Sequence, residues 1–112
     1  MIALQRNRVV TISTGVILAS GVFTSDAFDV SGVEGFFSLE WVLTGSGTMK
    51  AEVLVSNHGV TFHDIEADII AGQTVGTSMK SFTVSPCKQI KIKFTETSAG
   101  DTITVVTYLL AL

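Results

Sequence analysis

The chain predicts an all-β fold, an antiparallel β-sandwich, and three observations carry that prediction. Residues 88–97 (KQIKIKFTET) alternate between apolar and polar. Ile90, Ile92 and Phe94 fall on one side and Lys91, Lys93 and Thr95 on the other, the period of two of a half-buried strand. Clusters of Gly, Ser, Asn and Asp punctuate the chain about every 8–12 residues. No stretch carries a helical period. About eight or nine short strands of this kind pack as a sandwich, with a jelly roll as the leading topology. An immunoglobulin-like sandwich is second, and it would lack its disulfide because Cys87 is the single cysteine.

The elements follow in order. Residues 9–14 and 16–19 are β-branched runs parted by Gly15. Residues 22–24 and 27–30 are two short strands, with Asp29 between Phe28 and Val30 marking a wet face. Residues 35–44 form a longer strand, with Phe37, Leu39, Trp41 and Leu43 on one face and Phe36, Ser38, Glu40 and Val42 on the other. Gly45-Ser46-Gly47 is expected to close a hairpin onto a strand over 48–56, since glycine accepts positive φ without steric cost. Asn57, His58 and Gly59 make a turn before a short strand over 60–62. Residues 63–77 read as a loop holding at most one short strand, because Gly72 and Gly76 interrupt any regular pattern. Residues 80–85 form a strand ended by Pro86, which cannot donate to a ladder. After the strand over 90–97, residues 98–101 turn into a last strand over 102–112. Ile103, Val105, Thr107, Leu109 and Ala111 share one face of it, and Val106, Tyr108, Leu110 and Leu112 the other. A strand apolar on both faces is central in its sheet, covered on both sides, or placed at an interface.

Length and composition narrow the function. The 112 residues suit a single domain spanning 1–112. One cysteine permits no internal disulfide and fits a reducing compartment or a particle assembled in one. The net charge of −3 has no basic stripe behind it, so a nucleic-acid partner is not expected. No run of about 18 apolar residues exists to span a membrane as a helix. Arg6 and Arg8 before Val9 imitate a signal peptide, but Thr11, Ser13, Thr14 and Gly15 break its apolar core. Charged residues are only 15% of the chain, against about 25% in an average domain. A body this small and this poor in charge is expected to bury part of its surface against copies of itself.

Candidate chemistry is sparse. His58, His63, Asp64, Glu66 and Asp68 form the densest polar cluster, and imidazole and carboxylate oxygens are suitable metal ligands. Their alternation with Ile65, Ala67 and Ile69 instead matches the solvent face of a strand, and neither an EF-hand loop nor an HExxH pair is present. No serine sits in a Gly-x-Ser-x-Gly elbow. The chain is therefore expected to be no enzyme and to need no cofactor. Trp41 is a conceivable sugar-stacking platform, but it shares a face with Phe37, Leu39 and Leu43 and reads as core.

Three stretches carry a resemblance: GFFSLEWVLTGSGTMKAEVLVSNHGVTF over 35–62, SFTVSPCKQIKIKFTET over 81–97 and ITVVTYLLAL over 103–112. Together they resemble small all-β virion proteins of tailed bacteriophages, of the capsid decoration or cement type. The resemblance implies a jelly-roll-like sandwich, commonly a homotrimer, that seats on the major capsid protein or another virion protein and stabilises the particle. It offers no residue motif to carry over, and the N-terminus shows no long arm for gripping a capsid. A carbohydrate- or receptor-binding sandwich of a phage tail or lectin kind is the alternative. Self-association is expected on Val9, Val16 and Ile17 of the first strands and on Tyr108, Leu110 and Leu112 of the last. Lys91 and Lys93 are expected to mark the solvent side, or a rim against an acidic capsid surface, and to guard a strand edge against aggregation.

Overall fold

A computed structural model describes residues 1–19, 21–98 and 101–112, apart from the side chains of Val16, Ile17 and Leu18. The described residues form ten strands and no helix: β1 (Ile2–Ala3), β2 (Val9–Ala19), β3 (Val22–Thr24), β4 (Phe28–Asp29), β5 (Phe36–Gly45), β6 (Met49–Ser56), β7 (Ile70–Gln73), β8 (Gly76–Thr83), β9 (Gln89–Glu96) and β10 (Thr102–Ala111). They make two sheets. Sheet A runs β1-β4-β9-β6-β7, with β3 also on β9, and sheet B runs β2-β10-β5-β8. Every pairing is antiparallel except β1 with β4.

The order of connection decides the topology. From β4 onward the chain steps to the opposite sheet at every connection except β6 to β7. First and last long strands, β2 and β10, lie side by side, and β9 sits between β3/β4 and β6. This is the double Greek key of a jelly roll. It bears out the leading expectation and sets the immunoglobulin-like order aside.

One local expectation is overturned. β5 and β6 do not form a hairpin: β5 pairs with β10 and β8, and β6 pairs with β9 and β7. Gly45-Ser46-Gly47 carries the chain across from one sheet to the other. The Ser46 and Gly47 N–H groups donate to the Thr102 carbonyl at 3.1 and 3.0 Å, fixing the crossing against β10. Gly45 lies at φ +106°, and a Cβ there would stand 2.5 Å from the Thr102 carbonyl oxygen, so the close approach admits only glycine. The strand and turn signals around this corner are equally compatible with a hairpin and with a corner of the sandwich.

Other boundaries moved for identifiable reasons. Residues 9–19 form one strand, because Gly15 at φ +120° is absorbed as a bulge between Val105 and Val106 of β10. The strand expected over 60–62 is absent. Only His63 touches the ladder there, through a bridge to Val55. β8 begins at Gly76, four residues before the expected start at Lys80. β3 and β4 act as one kinked strand along β9. Between them, Ser25 keeps the ladder closed: its N–H donates to the Ile92 carbonyl and its Oγ accepts from the Ile92 N–H. The turn expected over 98–101 lies partly outside the described residues. The N-terminal segment folds back on the body, with β1 beside β4 and Leu4 buried.

Alternation fills the core. Phe37, Leu39, Trp41 and Leu43 of β5 and Ile103, Val105, Leu109 and Ala111 of β10 face Met49, Ala51, Val53 and Val55 of β6 and Ile90, Ile92 and Phe94 of β9. Thr107 is fully buried in this layer, and its hydroxyl pairs with Ser13 Oγ at 2.8 Å, while Ser13 Oγ reaches the Val105 carbonyl at 3.0 Å. The Trp41 indole N–H, by contrast, is buried without a partner.

Candidate assembly surface

The two outward faces of the sandwich differ in chemistry. On sheet A the outward residues of β6 and β9 meet in the pairs Lys50–Thr95, Glu52–Lys93, Leu54–Lys91 and Ser56–Gln89. The segment after β6 flanks this face and lays side chains over it. Phe62 sits on Lys91, with Nζ 4.4 Å from the ring centroid, and Lys50 Nζ lies 3.8 Å from both Glu52 and Asp68 carboxylates. Glu52 is buried, and contact with the Asp64 carboxyl, with burial second, pushes its pKa up, while Lys50 and Lys93 pull the other way. Lys91 and Lys93 do mark the outer side, half-buried. They do not guard an edge, since β9 lies between β6 and β3/β4. The charge at a true edge is Lys80 on β8. It stands opposite Leu39 on the inward-pointing side of the strand, where an edge charge opposes strand addition.

Sheet B presents the opposite chemistry. Its outward positions form three cross-strand rows: Val9–Leu110–Ser38–Ser81, Thr11–Tyr108–Glu40–Met79 and Thr14–Val106–Val42–Thr77. Glu40 is the single charged side chain in these rows. Val9 is 64% exposed and Met79 65%. At one end Phe36 (54% exposed) and Leu112 join Leu110, Ser38, Ser81 and Thr83 around an apolar groove of about 450 Å³. A surface of β-branched, aromatic and small hydroxyl side chains with a single charge loses little on desolvation and gains on burial.

Of the residues singled out for self-association, Val9, Tyr108, Leu110 and Leu112 come together on this side of sheet B, with Leu110 directly opposite Val9. The Val16 and Ile17 side chains lie outside the described residues. Sequence reasoning missed Phe36, Val42, Met79 and Val106 as members of the patch. Alternation already grouped Phe36 with Val42, but only the strand order β10-β5-β8 shows that they continue the Tyr108–Leu110 surface.

The polar cluster that suggested a metal site is dispersed. His58 Nδ1 accepts from the Val60 N–H at 3.1 Å, Glu66 accepts from the Ser85 N–H at 2.7 Å, and Asp68 faces Lys50. Among the described residues no three His, Cys, Asp or Glu side chains gather closely enough to hold an ion. Cys87 is half-buried, and burial followed by the nearby Glu66 raises its thiol pKa, the reverse of what activates a thiol. Trp41 is buried and offers no stacking platform.

No protein family and no curated protein matches the sequence. Solved structures do match. A chain of infectious bursal disease virus, Gt strain, superposes with a TM-score of 0.54 at 14% identity over 93% of this chain and 33% of its own. The enzymatically active domain of bacteriophage CBA120 tailspike protein 4 gives 0.59 at 15% identity, over 100% of this chain and 18% of its own. The SPBc2 prophage-derived protein YomS gives 0.52 at 11% identity, over 94% and 92%. All three are viral, phage or prophage proteins. The chain thus spans about a third and a fifth of the first two and nearly the whole of the third. At such identities the likeness shows a shared fold.

Proposed function

We propose that this chain is a non-enzymatic structural subunit, a bacteriophage virion component of the capsid-decoration kind. It self-associates as a homotrimer through the outer face of sheet B and stabilises the particle on which it docks. The observation that carries this reading is the contrast between the two outer faces. One is charged and partly covered by the chain's own loop; the other is bare and built of apolar, Ser and Thr side chains, with Glu40 the one charge in its three rows. The viral, phage and prophage settings of the structural neighbours support it.

Four strands spaced about 4.8 Å apart and eight residues long at about 3.3 Å each cover about 500 Å². In a trimer each subunit divides that face between two neighbours, so each contact buries about 500 Å², the size of a weak contact. Contacts repeated around a symmetric particle then gain by multivalency. Sedimentation velocity over a micromolar concentration series tests the reading. A trimer is expected, and a monomer throughout the series would remove the ground for it.

A further inference from the structure

We propose that Glu40 ties assembly through sheet B to the uptake of protons: subunits meet over this face with the Glu40 carboxyl neutral and part when it ionises. The inference rests on the assembly reading above and adds its regulation. Glu40 lies in the middle row of the face, on the interior strand β5. Tyr108 of β10 and Met79 of β8 stand directly opposite it, and Ser38 and Val42 flank it along its own strand. The diagonal positions on β10 and β8 are valine, leucine, serine and threonine. Among the described residues no hydrogen bond or ion pair holds the Glu40 side chain, which is exposed in the isolated subunit. Nor does the strand itself gain from it, since glutamate is depleted in sheets.

A neighbour that presents the same face brings no cation to meet this carboxylate. β2, β5 and β10 hold no lysine, arginine or histidine. Lys80 of β8 stands opposite Leu39 and so belongs to the inward side of its strand. Tyr108 is the one other titratable side chain in the rows, and a phenol brings no positive charge. Arg8 stands just outside them, before Val9. An ionised carboxylate carried from water into such a contact loses its hydration and gains no counter-charge, a cost that protonation removes. Neutral, the carboxyl donates a hydrogen bond that a hydroxyl on the neighbouring face can accept. Proton uptake on assembly means that acid strengthens the contact. Each proton bound only in the oligomer lowers the association constant about tenfold for every unit of pH rise. The dependence sets in above about pH 4.3, where an ordinary exposed glutamate is ionised.

Sedimentation velocity on the wild type and on Glu40→Gln, at about pH 5.5 and about pH 7.5, reads the linkage. The wild-type association constant is expected to fall by about tenfold or more from the lower pH to the higher. Glu40→Gln is neutral at every pH, keeps both histidines and Arg8, and alters only an exposed position on the outer face. It is expected to associate equally at the two pH values and as tightly as the wild type at the lower one. A wild-type oligomer of the same strength at both pH values would overturn the inference and leave the assembly reading standing. An equal fall in the variant would overturn it too, by placing the linkage on another group. So would a variant weaker than the wild type at both pH values, the mark of a carboxylate paired with a cation such as Arg8. Monomers throughout, in both proteins, would remove the assembly reading itself and the inference with it.

Discussion

Leu110→Glu puts a charge at the centre of the face assigned to assembly. Leu110 is half-buried in the isolated subunit, with Val9 opposite on β2 and Ser38 opposite on β5. Full burial of a leucine is worth about 1.5–3 kcal/mol, so the half still exposed contributes about 1 kcal/mol to a contact. The new carboxylate would lie one diagonal from Glu40, about 7–8 Å away on an antiparallel sheet. At that distance like charges repel by about 0.5 kcal/mol in water and about 2 kcal/mol at an effective dielectric near 20 inside an interface. The sum is about 3 kcal/mol per contacting subunit, on the order of a hundredfold in association constant. The fold itself should be spared, because the position points outward from a central strand and the core face of β10 is unchanged. Native mass spectrometry gives the oligomer distribution and thermal melting of the dissociated chain gives the fold. Loss of the oligomer with the monomer's melting kept is the expected result. An unchanged oligomer would refute the assignment of this face, and a collapsed monomer would refute the claim that Leu110 contributes little to the core.

The remaining predictions concern the body. Gly45→Ala should cost about 3 kcal/mol in denaturant unfolding, since it adds positive-φ strain to a backbone clash with Thr102. Trp41→Phe should change stability by no more than about 1.5 kcal/mol, because removing an unpartnered buried N–H offsets much of the lost packing. Lys80→Val should leave the melting temperature close to wild type but raise light scattering on standing, as the edge of sheet B loses its only charge.

Much of the fold was legible because period-two patterning is a local signal. The alternation in 90–97 placed Ile90, Ile92 and Phe94 inside, and all three are fully buried. The long last strand read as central, covered on both sides or placed at an interface, and β10 lies between β2 and β5. What failed was connectivity. Gly45-Ser46-Gly47 carries the residues of a tight turn whether the next strand returns in the same sheet or in the other. That choice rests on β10 and β8 competing for the edges of β5, a contact separated by tens of residues in sequence. The acidic run 64–68 lies, as expected, in a loop. Its alternation matched a strand face, but the chain there only flanks β6, and its carboxyls serve Glu52, Ser85 and Lys50. For the assembly face, Val9, Tyr108, Leu110 and Leu112 were accessible from sequence because they are apolar on the wet side of their strands. Phe36 and Met79 were not, because their membership depends on strand order.

The central claim is that sheet B, and not sheet A, faces neighbouring copies. Hydroxyl-radical footprinting at low and high protein concentration tests it with residues already in place. Met79, Tyr108 and Phe36 report on sheet B, and Phe62 reports on sheet A. Strong protection of the first three in the oligomer, with Phe62 oxidised at an unchanged rate, is the predicted result. Protection of Phe62 with Met79 and Tyr108 still reactive would contradict the account.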